Sequence, residues 1–255
     1  MQLSGVRAIV TGATGGIGLA AVKALLAAGA AKVGMLARNR EKLEAAVAEL
    51  QADQSDSRII PMLADVRDAE TLAGRFADFV QQAGGLDVLI NNAGVLIDGA
   101  LLSFSFRGIK RYAQEDWQTS IDTNLKGPFL CAQLAVEQMF RKRCKGVIIN
   151  ISSISRLGRA GQSAYSASKG GLTSMTFTLA QELMPYNIRC VAIAPGLVQT
   201  PMADKIPEDA RNKMISNVAV GRMGRPEEIA HGILFCIEND FFNGRVLELD
   251  GGTFG

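Results

Sequence analysis

The sequence predicts an α/β fold: a doubly wound, seven-stranded parallel sheet with helices on both faces, built as a single domain over residues 1–255. Three observations carry that expectation. Short apolar runs alternate with amphipathic stretches almost to the end of the chain, the pattern of strands joined by crossover helices. The first apolar run passes directly into a glycine-rich turn and then into a helical pattern, the order that makes a glycine motif credible. Six of the apolar runs end in polar or glycine-rich sequence, and those endings fall on one edge of such a sheet, where open α/β sheets bind ligands.

The elements follow in order. Val6–Thr11 is a short, mostly apolar run bounded by glycines and reads as a buried first strand. The turn G-A-T-G-G-I-G leads to a helix over Ile17–Ala28. Val33–Ala37 is the second strand and Arg40–Ala52 its helix; Arg58–Leu63 and Asp68–Ala83 form the third pair. Asp87–Asn91 is the fourth strand. A long helix over Gln114–Phe140 is bent near Gly127-Pro128, since proline removes a backbone donor. Gly146–Ile151 is the fifth strand, and the helix Gln162–Leu183 stops before Pro185 and feeds a sixth strand, Ile188–Ala194. Pro226 opens the last helix, Pro226–Glu238, at a position where proline is tolerated, and Arg245–Leu249 closes the sheet.

With 255 residues, 48% of them hydrophobic, the chain can bury a substantial core. A formal charge of +2 implies neither nucleic acid nor an anionic membrane as partner. The start M-Q-L-S-G-V-R runs straight into a strand, so no leader peptide is expected, and no apolar run reaches membrane-spanning length. Cys131, Cys144, Cys190 and Cys236 are scattered and His231 is the one histidine. This is neither a metal nor a disulfide framework, and reduced thiols suit the cytoplasm.

In the opening turn, Gly12 permits the tight bend, while Gly16 and Gly18 remove side chains where backbone approaches a pyrophosphate and helix packs on strand. No Gly-Lys-Ser/Thr follows, which excludes a P-loop. Farther on, Tyr165 and Lys169 stand four apart in a helical stretch and emerge on one face. An ammonium held beside a phenol stabilises the phenolate and lowers its pKa, as acid–base work near neutrality requires. The same spacing also arises on solvated helices, so the pair gains meaning only from the glycine turn and the converging strand ends.

Taken in this order, the motifs resemble the short-chain dehydrogenase/reductase family over essentially the whole chain. The family's T-G-x-x-x-G-x-G is Thr11-Gly12 through Gly16 and Gly18, its N-N-A-G is Asn91–Gly94, and its Y-x-x-x-K is Tyr165 and Lys169. Its P-G after the sixth strand is Pro195-Gly196, and D-T-N-L contains its asparagine, Asn124. Within the family, G-Q-S-A-Y-S-A-S-K-G-G and V-G-R-M-G-R-P-E-E-I-A are similar to the 3-oxoacyl-acyl carrier protein reductase branch. The resemblance implies a Rossmann-type domain in which Asn124, Ser153, Tyr165 and Lys169 are catalytic and no metal takes part. It implies a nicotinamide cofactor held by Gly12, Thr14, Gly16, Ile17, Gly18, Asn91, Ala93, Gly94, Tyr165, Lys169, Pro195, Gly196, Val198 and Thr200, with Asp65 and Val66 flanking the adenine. The reaction implied is reduction of a carbonyl to a secondary alcohol, with a 3-oxoacyl thioester of acyl carrier protein or CoA as substrate. A small secondary alcohol, ketone or hydroxysteroid is the alternative, and a non-catalytic nucleotide-binding protein is a third reading.

Several positions depart from the pattern or refine it. The family's usual spacing of thirteen to the tyrosine picks Ser152, whereas the I-S-S motif picks Ser153, twelve before it. Ser153 is preferred because a loop absorbs a deletion that a strand register does not. The interval between Gly94 and Asn124 holds 29 residues, longer than this branch usually has, and the excess lies within Ile97–Gln114 with Phe104, Phe106, Tyr112, Arg107, Lys110 and Arg111. It reads either as a surface excursion or as a border of the substrate entrance or a subunit contact. At the end of the second strand Ala37 stands where an acid would select NAD, and Arg38 follows. That favours NADP(H) over NAD(H), because a guanidinium fork suits a 2′-phosphate. Pro201–Val218 matches the family's substrate lid, with Met202, Ile206 and Met214 facing an aliphatic chain or packing internally. Arg141, Lys142, Arg143 and Lys145 form a basic cluster that would either steer an acidic acyl carrier protein or simply solvate a helix end. Apolar residues on several faces of the helix around Leu172, Met175, Phe177 and Leu179 point to self-association, a homotetramer by resemblance.

Overall fold

The computed structural model describes residues 1–51, 57–106 and 108–253. Strand β1 (Arg7–Thr11) leads through the glycine turn to α1 (Gly16–Ala27), followed by β2 (Lys32–Ala37), α2 (Arg40–Gln51), β3 (Ile59–Leu63), α3 (Ala69–Ala83) and β4 (Val88–Asn91). The sequence-predicted end of α2 at Ala52, like Arg107 of the long interval, lies outside the described residues. A hairpin, β5 (Leu102–Ser105) and β6 (Gly108–Arg111), then precedes α4 (Gln114–Ile121) and α5 (Gly127–Arg141). The second half runs β7 (Gly146–Ile151), α6 (Ser163–Glu182), β8 (Ile188–Pro195), α7 (Glu208–Ser216), α8 (Pro226–Glu238) and β9 (Val246–Leu249).

Seven strands form one sheet in the order β3-β2-β1-β4-β7-β8-β9, and every pairing in it is parallel. The order reverses between β1 and β4, which is the topological switch point of a Rossmann-type fold. Because strand side chains alternate between faces, each strand feeds two cores. Val88, Ile90, Val147 and Ile149 pack with Leu25 of α1 and Ile233 of α8 on one face. Leu89 and Ile148 pack with Phe76 and Phe79 of α3 and Met139 of α5 on the other. Burial on both faces explains why the central strands read as continuous apolar runs rather than alternating ones. Pro61 is tolerated because β3 is an edge strand. Among the described residues no helix is long and apolar enough to cross a membrane.

Two regions differ in detail from the sequence reading. The long helix expected over Gln114–Phe140 is divided by a π-helical turn at Asp122–Lys126, with Gly127 N–H bonding back to the Asp122 carbonyl. Pro128, in the first turn of α5, has no N–H to give the Asn124 carbonyl four residues back, so the regular ladder cannot pass through this point. The irregularity thus centres on Asn124, upstream of the proline itself. The interval within Ile97–Gln114 contains the β5–β6 hairpin, paired antiparallel from Leu102↔Arg111 to Ser105↔Gly108. Its root is tied down: the Tyr112 hydroxyl donates to the Ile97 carbonyl at 2.9 Å, and Gly99 N–H donates to the Gly161 carbonyl at 2.8 Å. Leu101, Phe104 and Ile109 remain exposed. The hairpin follows the carboxyl end of β4, whereas the basic cluster Arg141–Lys145 precedes β7 and therefore lies on the opposite edge of the sheet.

Exposed apolar side chains also mark α5 and α6, where Phe129 is 43% and Phe177 40% exposed, although Leu172 is fully buried. Burying such a face against a second copy is the physical basis for self-association. Light scattering at micromolar concentration is expected to report about four times the 27.1 kDa chain mass, and a stable monomer would contradict the tetramer.

Candidate active site

A cleft of about 1020 Å³ opens along the carboxyl ends of the strands. One end is the turn between β1 and α1. The Thr11 hydroxyl accepts from Asn92 N–H and Ala93 N–H, each at 3.0 Å, and the Asn92 amide donates to the Thr11 and Gly12 carbonyls at 3.0 and 3.1 Å. These bonds hold the two turns that flank the switch point. A Cβ at Gly18 would overlap the Gly12 carbonyl oxygen and lie 2.6 Å from Asn92 Nδ2, so only glycine lets α1 begin this close to β1. Helix α1 has no side-chain cap and no acid in its first turn, which leaves its amino-terminal N–H groups and dipole available to an anion. A glycine cradle without a competing cap fits the pyrophosphate of a dinucleotide.

At the other end stand Ser153, Tyr165 and Lys169, all lining the cleft. Ser153 caps a one-turn 3-10 helix, Ile154–Leu157, by accepting from Ser155 N–H at 3.1 Å. Ser152 also borders the cleft, but its hydroxyl is engaged with α6, donating to the Lys169 carbonyl at 3.1 Å and meeting Thr173 Oγ1 at 3.0 Å. Burial pushes the Tyr165 phenol above its ordinary value, the Ser153 hydroxyl bonded to it pulls the other way, and the nearby Asp98 charge adds a smaller upward push. The direction is opposite to that expected from a neighbouring ammonium. Lys169 Nζ lies 5.7 Å from the tyrosine ring centroid and donates instead to the Ile151 carbonyl at 2.7 Å. Burial lowers the Lys169 amine to about 8.

Asn124 lies behind this group, fully buried. Its Oδ1 accepts from Val95 N–H at 2.8 Å, and its Nδ2 donates to the Val95 carbonyl at 2.9 Å and to Ser168 Oγ at 3.1 Å. A Cβ at Gly94 would come 3.2 Å from Asn124 Oδ1 and 3.6 Å from Lys169 Nζ. Gly94 thus sits against both the Asn124 amide and the Lys169 amine, where a side chain would crowd them.

Residues 7–211 match the short chain dehydrogenase family. The chain belongs to that family. Among curated proteins it is 38% identical over 256 residues to a 3-oxoacyl-(acyl-carrier-protein) reductase of Thermotoga maritima, covering 99% of both chains. It is 35% identical over 247 residues to a hydroxy(phenyl)methyl-succinyl-CoA dehydrogenase subunit of Thauera aromatica, covering 96% of this chain and 95% of that one. Among solved structures, a short-chain type dehydrogenase/reductase from Mycobacterium marinum superposes with a TM-score of 0.89 at 30% identity, over 98% of this chain and 96% of its own. As a short-chain dehydrogenase, the protein is an NAD(P)-dependent oxidoreductase acting on a carbonyl or alcohol.

The short-chain dehydrogenase cleft gathers most of the sequence-predicted residues. Gly12, Thr14, Gly16, Ile17, Ala93, Gly94, Pro195, Gly196, Val198 and Thr200 all line it, as do the apolar Met202, Ile206 and Met214, and Thr200 lies against Gly16. Others do not reach it. Gly18 acts through packing, and Asn124 is one layer behind. Asn91, expected to line the groove, is turned the other way: its amide donates to Asn150 Oδ1 at 2.9 Å and to the Pro128 carbonyl at 3.3 Å, because it is the last residue of β4 and its face points to α5. Asn92 takes its place in the cleft wall. Val66 is buried against Gly127. Asp65 holds Arg67 through two side-chain bonds, at 3.0 and 2.7 Å, so its carboxylate is already engaged. Arg38 is exposed at the end of β2, and its charge helps lower the Asp65 pKa, after the larger effect of Arg67. Sequence reasoning did not single out Lys42, Arg156 or Glu248, which also border the cleft. The one signal for Lys42 is its place as the third cation of R-N-R-E-K, residues 38–42.

The Lys169 shift has a definite linkage sign. Its folded pKa, about 8, lies below the ordinary 10.5, so between those values the unfolded chain binds the extra proton and stability rises with pH. In Lys169→Met this contribution vanishes. The gain in urea-unfolding free energy from pH 7.5 to 9.5 is expected to shrink by about 2 kcal/mol relative to wild type, and an equal gain in both proteins would refute the buried-amine assignment.

Proposed function

We propose that the chain catalyses NADPH-dependent reduction of a carbonyl to a secondary alcohol, with a 3-oxoacyl thioester as substrate. The observation that carries this reading is the convergence of Ser153, Tyr165 and Lys169 at one end of a cleft whose other end is a glycine cradle. When bound, the dihydronicotinamide supplies a hydride to the carbonyl carbon and is itself oxidised. Everything else falls to the chain. Tyr165, kept protonated by burial, gives its proton to the oxygen that gains negative charge. Ser153 donates a hydrogen bond to the same oxygen, and both interactions strengthen toward the transition state. Lys169, with its pKa near 8, holds a proton that it can exchange close to neutrality. Asn124, one layer behind, would anchor a water that links that amine to solvent for proton resupply.

The 38% identity to the Thermotoga reductase supports the thioester reading, as do the apolar Met202, Ile206 and Met214 of the 201–218 lid. An acidic acyl carrier would meet Lys110, Arg111 and Arg159, exposed on the cleft side. The cluster Arg141–Lys145 is at the wrong edge and instead complements the carboxyl end of α5, where Arg141 pairs with Glu137 at 2.7 Å. The same machinery would serve a small ketone or hydroxysteroid. Screening acetoacetyl thioesters, simple diketones and hydroxysteroids separates the readings: thioesters are expected to turn over fastest. Tyr165→Phe is expected to bind cofactor normally and lose turnover by orders of magnitude. Ser153→Ala should lose about 2 kcal/mol or more of transition-state stabilisation while Ser152→Ala loses little. Wild-type turnover in Tyr165→Phe, or the reverse serine ranking, would overturn the assignment.

NADP(H) is favoured because Ala37 and the exposed Arg38 end β2 without an acid. Lys42 adds a second cation on the cleft wall. Titrations of both reduced cofactors, followed by their own fluorescence, should give at least about tenfold tighter binding of the phosphorylated one, which asks only about 1.4 kcal/mol. Most of that preference is expected to disappear in Arg38→Ala. Equal affinities in the wild type would return the choice to NAD(H).

A further inference from the structure

The wall of the cleft beyond Ser153 holds a guanidinium that the mechanism above leaves without a task. Arg156 sits in the 3-10 turn capped by Ser153, and its N–H donates to the Ser153 carbonyl at 3.1 Å. Its own carbonyl packs on Gly170, where a Cβ would lie 3.2 Å away, next along the helix from Lys169. The backbone of Arg156 is therefore fixed against both the serine turn and the helix of the Tyr-Lys pair. The side chain reaches across to β9, where Nη2 pairs with Glu248 Oε1. Glu248 stands opposite Ala194 in the β8–β9 ladder, one residue short of Pro195↔Leu249. The guanidinium thus lies over the ends of β8 and β9, two and three strands from the glycine turn's β4 neighbour.

Its donors are not used up. The Arg156 side chain is only 11% exposed, yet Nε and Nη1 are buried with no partner among the described residues, and a buried donor left unpaired is destabilising. Glu248 is a single carboxylate, 53% exposed, and meets one nitrogen. Asp250, the other acid of this wall, turns Oδ1 to Gly252 N–H at 3.0 Å. Arg156 borders the cleft with its two unpaired donors closed inside the wall, so a carboxylate arriving there gains the two bonds of a planar fork only by displacing Glu248 and turning the guanidinium outward.

We propose that Arg156 recognises a carboxylate carried by the carbonyl substrate, with Glu248 holding the guanidinium in place and competing for it. This rests on the carbonyl-reduction reading and narrows it to oxo acids and to oxoacyl compounds that bear a free acid group. A merely structural Arg156–Glu248 strap predicts that removing either partner acts alike, whereas recognition predicts opposite effects.

The test compares kcat/KM for acetoacetate and for methyl acetoacetate with NADPH. The wild type is expected to favour the acid by about tenfold or more. Arg156→Met should bring the ratio close to one through a higher KM for the acid, Arg156→Lys should fall between, and Glu248→Gln should raise the ratio. An ester-preferring wild type, an unchanged ratio in Arg156→Met, or a ratio that falls in both variants would overturn the proposal. If Arg156→Met does not fold by circular dichroism, Arg156→Lys and Glu248→Gln decide it by the same criteria. Calorimetric titration of acetoacetate in the presence of NADP+ separates the two levels of inference. Binding that Arg156→Met abolishes, in a protein that reduces no carbonyl compound, leaves the anion site standing and removes the carbonyl-reduction reading. No binding to the wild type, or equal binding to wild type and Arg156→Met, defeats the anion site itself.

Discussion

The site depends first on how closely two backbone turns can approach at the switch point between β1 and β4. Thr11 and Asn92 supply that contact through four hydrogen bonds of 3.0–3.1 Å between the turns. The missing side chain at Gly18 lets α1 start against the carbonyl of Gly12. Together they set the opening between the strands and aim an uncapped helix terminus into it, and a dinucleotide cradle needs both.

Burial governs the chemistry at the other end. The Tyr-Lys pair is often pictured as an ammonium acidifying a phenol, but here both groups are driven toward their neutral forms, the phenol upward and the amine downward. The proposed role of Tyr165 as proton donor fits that direction, which keeps the proton on the phenol. Asn124 then gains its place from an interrupted helix. Its side chain is fixed on both sides, to Val95 and to Ser168. The π-helical turn around it follows from a proline that cannot bond back to it. A sequence irregularity four residues away thus becomes a positioning device for a buried amide.

The long interval after β4 shows how the fold divides its surface. Its hairpin is anchored at the root to Gly161, four residues before Tyr165, and stands on the same edge as the cleft. It leaves Leu101, Phe104, Ile109, Lys110 and Arg111 exposed at that edge. The equally basic Arg141–Lys145 stretch is separated from it by the full length of β7, roughly 20 Å of strand.

Much of this was written in the chain. Alternating apolar runs determined the seven strands and their crossover helices, because a strand buried on both faces can tolerate little else. The glycine spacing and the Tyr165–Lys169 interval identified the cleft, since each encodes a local geometry: a close approach, or one helical turn. I-S-S favoured Ser153 for a reason internal to strands, and the two serines do point to different partners. What the sequence could not determine were relations across the sheet. Asn91 and Asn92 are chemically identical neighbours, and only the twist and pairing of β4 turn one toward Asn150 and the other into the cleft. The direction of the Tyr165 shift depended on the depth of packing around it, a sum over residues from several elements. Arg156 and Glu248 are 92 positions apart, and their pairing across the substrate end exists only because β9 closes the sheet beside β8.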